Sequence, residues 1–489
     1  MNVATLFAWV LPLLAGSALY LAASPARPLG WRAATAGYGI VIGLLLVSVF
    51  TAICARHDTA HAWLRAAPLL LVVGICAVLV YRRRSARLAA SGRDASDEND
   101  VDMARWKRIL LGVLFASLGL RAVVALREIW LRPLYPWDAW SAWAVKAKAW
   151  FLLGHHARFI SLHDWLVQAG HEAYTSVAWM YPSTLAWVDI WFASAAGGWI
   201  EPLINLPWLA LWIAVLLAHY GQWRALGMPR DRAMFFVYVL GSLPLLLVHA
   251  ALAGYADLWI AAVFGFALLA WMRWLQSRER GQLALAIALA CVLPCLKLEG
   301  WIWTSCLLGT IAFAGLSARW RWIVLAVATA LLAILLGGGL GWLFVHLGWV
   351  DAAGNIVNAR AGAFVLLLNP QWRGVAARDI ASALFALPNW HFLWWIMPAV
   401  LVWRWRALCA RDWLWLPAFV LLQCFAALGF LFLATDAAQW AQSFTAINRL
   451  ILQLTPAVVT IVGLALRDAQ LPAKASGTAP APVARSDRA

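Results

Sequence analysis

Residues 34–54 read Ala-Thr-Ala-Gly-Tyr-Gly-Ile-Val-Ile-Gly-Leu-Leu-Leu-Val-Ser-Val-Phe-Thr-Ala-Ile-Cys, with no charged side chain. A helix needs about 20 such residues to cross the ~30 Å hydrocarbon layer of a bilayer, so this run has the length of a membrane span. Comparable runs lie near 5–23, 62–81, 108–126, 203–220, 232–250 and 256–272. Others lie near 282–296, 301–317, 321–345, 390–405, 412–434 and 449–466, which makes about thirteen transmembrane helices. Composition agrees. The 489 residues are 64% hydrophobic and 12% charged, with mean hydropathy +0.77. Soluble domains carry about 45–50% apolar and about 25% charged residues. The chain therefore reads as an all-α polytopic membrane protein, not as a disordered, collagenous, disulfide-stapled or ordinary soluble class.

The formal charge is +16. In a soluble chain that would suggest nucleic acid. Here the basic residues follow the loops, so no nucleic-acid partner is expected. The stretch 183–200 is apolar but contains Asp189 and Gly197-Gly198. If it does not cross, one side collects Arg27, Arg32, Arg82–Arg84, Arg224, Arg230, Arg232, Arg273, Arg278, Arg280, Arg319, Arg321, Arg404, Arg406 and Arg411. The short loops of the other side then hold only Arg56, Arg65, Lys297 and Arg449. The positive-inside rule is satisfied loop after loop. If 183–200 does cross, every later basic loop faces out. The stretch is therefore expected as an interfacial or re-entrant helix. The N-terminus is then outside and the C-terminus cytoplasmic, in the inner (cytoplasmic) membrane of a cell.

The N-terminal run lacks a basic region before it and reads as a retained helix. The seven cysteines lie within or at the end of apolar runs, with no CxxC pair, and read as small membrane-buried residues. Residues 1–81 form an N-terminal three-helix membrane module, and 82–107 a charged cytoplasmic linker. The main membrane domain is 108–466, with large outer loops at 127–202 and 346–389. The Ala/Pro/Ser-rich stretch 467–489 reads as a disordered cytoplasmic tail. No internal repeat is evident.

With this topology, the ionisable residues that interrupt apolar runs gather on the outer face. Charge at the edge of hydrocarbon is costly and marks function by default. The first outer loop opens Tyr135-Pro136-Trp137-Asp138-Ala139-Trp140-Ser141-Ala142-Trp143. Trp140, Trp143, Ala147 and Trp150 recur at helical spacing with Lys146 and Lys148 off that stripe, which predicts an amphipathic helix lying on the membrane. Pro136 suits a first turn and Asp138 a helix start. Shorter outer turns carry Tyr255-Ala256-Asp257, Lys297-Leu298-Glu299-Gly300 and Asn448-Arg449.

These elements, with Tyr181-Pro182-Ser183, resemble the GT-C superfamily of integral-membrane glycosyltransferases that use polyprenyl-phosphate sugars. The resemblance spans roughly 108–466 and implies a GT-C-like catalytic membrane domain. It implies an acidic catalytic residue in the first outer loop, matching Asp138, and a Pro-containing element before the next span, matching Tyr181-Pro182. It also implies a second acidic residue in a later outer loop, matching Asp257, and a basic residue for the lipid phosphate, matching Arg449. The family usually places its acidic loop after the first membrane helix. Here three further helices precede it.

The resemblance implies transfer of one sugar from a polyprenyl-phosphate donor to a cell-envelope acceptor (glycolipid, polysaccharide or protein) at the outer, periplasmic face. It implies direct displacement with inversion, with Asp138 as general base. Arg449 could fork two phosphate oxygens or act as a snorkelling anchor. Lys297 and Glu299 diverge on a helix but could pair on an extended turn. Asp257 could orient the acceptor, bind a metal or pair with Lys297. Trp137 and Trp140 could stack on sugar or isoprenoid, or anchor the loop at the interface. No metal-ligand spacing occurs among His155, His156, His163, Asp164, His171 and Glu172. No cofactor is therefore expected, although some family members use a divalent metal. Two alternatives remain open: a flippase for lipid-linked glycans, and an O-antigen-ligase-like transferase, for which His391 near Arg378 is a poor match.

Overall fold

The structure, a computed structural model of the whole chain, describes residues 2–90, 103–167, 172–334, 346, 360–361, 364–365, 374–435 and 437–467. It opens with α1 (Val3–Ala23), α2 (Trp31–Cys54), α3 (Ala62–Ala90) and α4 (Arg105–Leu131). A π-helical segment, Ala139–Ala144, runs into α5 (Val145–Leu153). Strand β1 (Arg158–Ile160), helix α6 (Leu162–Val167) and strand β2 (Ala173–Thr175) follow, the two strands pairing in parallel.

Next come α7 (Thr184–Ala196), α8 (Glu201–Ala225), α9 (Arg230–Ser242), α10 (Pro244–Ala251) and α11 (Asp257–Ser277). They are followed by α12 (Arg280–Leu296), α13 (Gly300–Gly315) and α14 (Ala318–Ile334). The last part holds α15 (Gly374–Phe385), α16 (Leu393–Trp403), α17 (Trp405–Cys409), α18 (Asp412–Ala434), α19 (Ala438–Gln442) and α20 (Thr445–Arg467).

The chain is an all-α polytopic membrane protein. Among the described residues eight helices are long and apolar enough to cross a membrane, and the bent pair α9–α10 makes a ninth. The expected runs at 282–296, 301–317 and 390–405 fold as α12, α13 and α16, each shorter than a perpendicular span. The run 321–345 is helical to Ile334, and its remainder lies outside the described residues. The linker expected at 82–107 is helical at both ends, because α3 continues to Ala90 and α4 starts at Arg105. Residues 91–102, most of the outer loop 346–389 and the tail after Arg467 lie outside the described residues.

The run 232–250 is not one helix. Its two halves meet at 61°. Pro244 opens the second half and has no N–H to continue the ladder. Leu243 before it takes the extended backbone that a following proline favours (φ −57°, ψ 120°). Between membrane helices, packing and hydrogen bonds replace the hydrophobic effect as the associating force. Helices α1 and α2 approach through Gly39 and Gly43, where a Cβ on Gly43 would fall 2.1 Å from the carbonyl oxygen of Pro12. The Tyr38 hydroxyl of α2 donates to the Phe266 carbonyl of α11 at 2.8 Å, so the N-terminal helices share one core with α8 and α11. Helix α11 is the most enclosed span and packs on α8, α12 and α20.

Helix α7 lies wholly at one end of the bundle. Ser48, near the end of α2, donates to the Thr184 carbonyl at 2.8 Å. Trp191 donates to the Ala8 carbonyl, in the first turns of α1, at 3.0 Å. Ser194 accepts the Trp63 N–H, at the start of α3, at 3.0 Å. Since α1 begins, α2 ends and α3 begins at the same end, α7 cannot reach the other. Its 13 residues span only about 20 Å. The next helix, α8, starts from that same end, where Glu201 accepts the Leu134 N–H at 2.8 Å.

The helix expected to lie on the membrane is built differently. Trp143, Ala147 and Trp150 are buried inside the protein, while Trp140 is exposed. The π-helical turn shifts the register after Trp140, and α5 packs on α7. Lys146, expected off the buried stripe, is itself buried. Its Nζ donates to the carbonyls of Trp179 (2.9 Å) and Tyr181 (2.6 Å).

Candidate functional site

Four separate segments meet at the α7 end of the bundle. The first is the approach to the π-helical segment. Pro136 accepts the Ala139 N–H at 2.9 Å, so the first turn closes on backbone alone. Asp138 is helical (φ −65°, ψ −28°), and its side chain caps no amide. Its carboxylate instead accepts from Arg449 Nη1 at 2.5 Å. Arg449 belongs to the second turn of α20, which brings the last helix against the first loop.

The second segment is the turn between α10 and α11. Gly254 has φ +107°, and a Cβ there would lie 2.5 Å from the Cβ of Ala139. Only glycine tolerates both conditions. That close approach carries Tyr255 to the Arg449 guanidinium, 5.2 Å from its ring centroid. Trp208 Nε1 holds the Tyr255 carbonyl at 2.7 Å. His249 meets the Tyr255 ring edge-on at 5.3 Å.

The third segment joins α12 to α13. Lys297 is extended (φ −158°, ψ 153°), and Leu298 and Glu299 turn into α13, where the Gly300 N–H donates to the Lys297 carbonyl at 2.9 Å. The Lys297 ammonium contacts Asp257 at 2.9 Å and Glu299 at 3.1 Å. Burial alone would lower its pKa. Asp257 and Glu299 reverse that and hold it above the ordinary lysine value. Asp257 also accepts from Gln453 Nε2 at 2.6 Å, and Gln453 accepts from Trp303 Nε1 at 2.6 Å. This ion pair is fully enclosed and hydrogen-bonded, the condition under which a buried pair persists.

The fourth segment is the approach to α7. The Tyr181 ring stacks on Trp143 at 4.9 Å, and the Thr184 hydroxyl donates to the Cys295 carbonyl. Burial raises the Tyr181 hydroxyl, and the charge of Glu299 adds to that rise.

Several buried polar atoms here have no hydrogen-bond partner among the described residues: Asp257 Oδ2, Glu299 Oε2, Asn448 Oδ1, Arg449 Nε and His249 Nδ1. Buried polar groups are nearly always paired. Other unpartnered atoms lie elsewhere in the bundle, but these five surround one paired ionic network, where a polar ligand would supply the missing bonds.

Asp138, Asp257, Lys297, Glu299, Arg449 and Tyr181 thus belong to one neighbourhood. Trp137 and Trp140 do not join the ionic network. They are exposed and pair edge-to-face with each other at 4.8 Å. Sequence reasoning did not single out Gln453, His249 or the burial of Lys146. Gln453 was within reach, because it lies four residues after Arg449, on the same helix face. His249 gave no signal, since its approach depends on the break at Pro244. Among the described residues no group of three or more His, Cys, Asp and Glu side chains is arranged to hold a metal ion. In the histidine-rich part of the first loop, His155 pairs with Glu172 at 2.9 Å. No protein-family model, curated protein or solved structure matches the chain.

Proposed function

We propose that the chain is a membrane glycosyltransferase that moves one sugar from a polyprenyl-phosphate donor to an envelope acceptor at the membrane face carrying Asp138. The observation that carries this reading is the pairing of Asp138 with Arg449, beside buried polar atoms that lack partners. Transfer of this kind needs a base for the acceptor hydroxyl and a cation for the leaving phosphate, at headgroup height.

In this mechanism the donor phosphate competes with Asp138 for Arg449. Guanidinium forks onto phosphate oxygens well, with its stem in the apolar layer. The exchange uncouples Asp138 as the donor docks. Asp138 then takes the proton from the acceptor hydroxyl. The acceptor oxygen forms the new bond to the anomeric carbon, and the sugar–phosphate bond breaks from the opposite face. Polyprenyl phosphate leaves with the electron pair, held by Arg449. Asp257, Lys297 and Glu299 bind the acceptor or hold the network around it, and Tyr181 walls the site. Trp137 and Trp140 offer an exposed aromatic surface for sugar or isoprenoid. No step requires a metal.

The test is intact-mass analysis of envelope glycolipids and glycans from three strains: a deletion, its wild-type complement, and an Asp138→Asn complement at matched membrane abundance. A discrete sugar mass lost on deletion and restored only by the wild type is the expected result. Full restoration by Asp138→Asn would remove Asp138 as the base and favour a carrier of lipid-linked glycans.

A further inference from the structure

A second feature lies in the opposite half of the bundle. An apolar groove of about 470 Å³ runs between α2, α4, α8 and α9. That volume falls in the roughly 300–1,000 Å³ range of ligand sites. Phe115, Gly119 and Ala122 form one wall, and Trp212, Leu216 and Met234 the other. Gly119 leaves the wall open, since a Cβ there would meet nothing within 4 Å. Helix α8 runs from Glu201, at the α7 end, to Ala225, and Arg230 follows at the start of α9. The groove therefore closes on Arg230 at the end away from Asp138.

The mouth is cationic. Arg230 lines the groove, is exposed, and has no hydrogen-bond or ion-pair partner among the described residues. It sits in the first turn of a 13-residue helix, whose amide end favours anions. The acid beside it, Asp231, is engaged by Lys107 at 2.7 Å. Arg105 and Arg108 of α4 and Arg32 of α2 stand at the same end. Juxtamembrane basic clusters attract anionic lipid headgroups.

We propose that this groove binds one acyl chain of an anionic glycerophospholipid, with the lipid phosphate at Arg230. The apolar walls select the chain, and the unpartnered guanidinium selects the headgroup. A zwitterionic lipid would place its own cation against the same basic mouth and gain less.

Native mass spectrometry of the full-length protein tests this. Phosphatidylglycerol and phosphatidylcholine with identical acyl chains are supplied in equal amounts. The wild type is expected to retain phosphatidylglycerol at least about fivefold over phosphatidylcholine. Arg230→Ala is expected to bring that ratio below about twofold. Gly119→Phe, which fills the groove, is expected to reduce retention of both lipids. Ala122→Trp repeats the test from a neighbouring position, should Gly119→Phe fail to fold. Free glycerol phosphate in excess is expected not to displace the lipid. Equal retention of the two lipids by the wild type would overturn the proposal. So would a preference that survives Arg230→Ala, wild-type retention in a folded filling variant, or displacement by free glycerol phosphate.

Discussion

Asp138 and Arg449 lie 311 positions apart in the chain and 2.5 Å apart in the structure. Their side chains are 38% and 22% exposed. Ion pairs with that much solvent contact add little stability, typically up to about 1 kcal/mol. A pair that closes so long a loop for so small a return in stability is better explained by function. Asp138→Asn is therefore expected to leave the unfolding temperature nearly unchanged, and Arg449→Gln to lower it modestly, because the guanidinium is more enclosed and also lies against Tyr255. Both are expected to reduce sugar transfer in membranes by about 100-fold or more, the range lost with a general base. Arg449→Lys keeps the charge but not the fork, and is expected to raise the donor KM more than it lowers kcat. Equal losses of stability and transfer would reduce the pair to a structural clasp.

The buried network predicts the reverse pattern. Lys297 and Asp257 are enclosed; removing Lys297 strands the Asp257 charge, and removing Asp257 leaves the ammonium with Glu299 alone. Lys297→Met alone, or Asp257→Leu alone, should cost about 3–5 kcal/mol. The double variant should recover part of that, because the Asp257 and Lys297 charges go together while Glu299 alone loses its cation. Gln453→Leu should cost less, about 1–3 kcal/mol, by leaving Trp303 Nε1 without its acceptor. Thermal unfolding of the four variants in one detergent measures the cycle. A double variant no more stable than the worse single one would contradict the assignment.

The sequence carried the fold class because periodicity is irrelevant when whole runs such as 34–54 are apolar. Length and charge bias alone decide those. Charge bias led to the expectation that 183–200 does not cross, because Arg224, Arg273 and Arg404 fall on one side only if it stays put, and α7 packs at one end of the bundle. The sequence missed the break in 232–250, although Pro244 stands in the middle of the run. Proline is tolerated inside other helices of this chain, at Pro12, Pro207, Pro417 and Pro456, so its presence did not decide. The stripe of Trp140, Trp143, Ala147 and Trp150 misled for a related reason. Helical spacing says which residues share a face, not whether bilayer or protein covers it. Lys146 escaped notice because its partners are carbonyls of residues 179 and 181, which no side-chain pattern announces.

Gly254 offers a separate test of the geometry. Its positive φ and the 2.5 Å approach to Ala139 both exclude a larger residue. Gly254→Ala should strain the turn by roughly 1–3 kcal/mol. The displaced neighbour is Ala139, next to Asp138, so sugar transfer should fall further than stability alone explains. A shift of about 1 Å at a reacting group can cost about 100-fold in rate. Gly197→Ala is a control, because Gly197 shares the positive φ (+77°) but has open space around its Cβ position. It should strain its own turn and spare transfer. Equal transfer by the two variants would argue against the packing of the Gly254 turn on Ala139.

Lys146 predicts a specific pH dependence. Burial pushes its ammonium down to about 8 from the ordinary 10.5. Below about pH 8 both the folded and unfolded chains carry the proton, and this group adds no pH dependence. Between about 8 and 10.5 the unfolded chain still binds the proton that the folded chain has released. Stability from this group therefore rises with pH across that window, by up to about 3 kcal/mol, and levels off above it. Lys146→Met removes the titration, so the quantity to follow is the wild-type unfolding temperature minus that of the variant, at one scan rate from pH 6.5 to 11. A flat difference below pH 8 followed by a rise is expected. A difference that stays flat throughout, or falls across the window, would mean that Lys146 is not the desolvated ammonium whose Nζ ties α5 to the Trp179 and Tyr181 carbonyls.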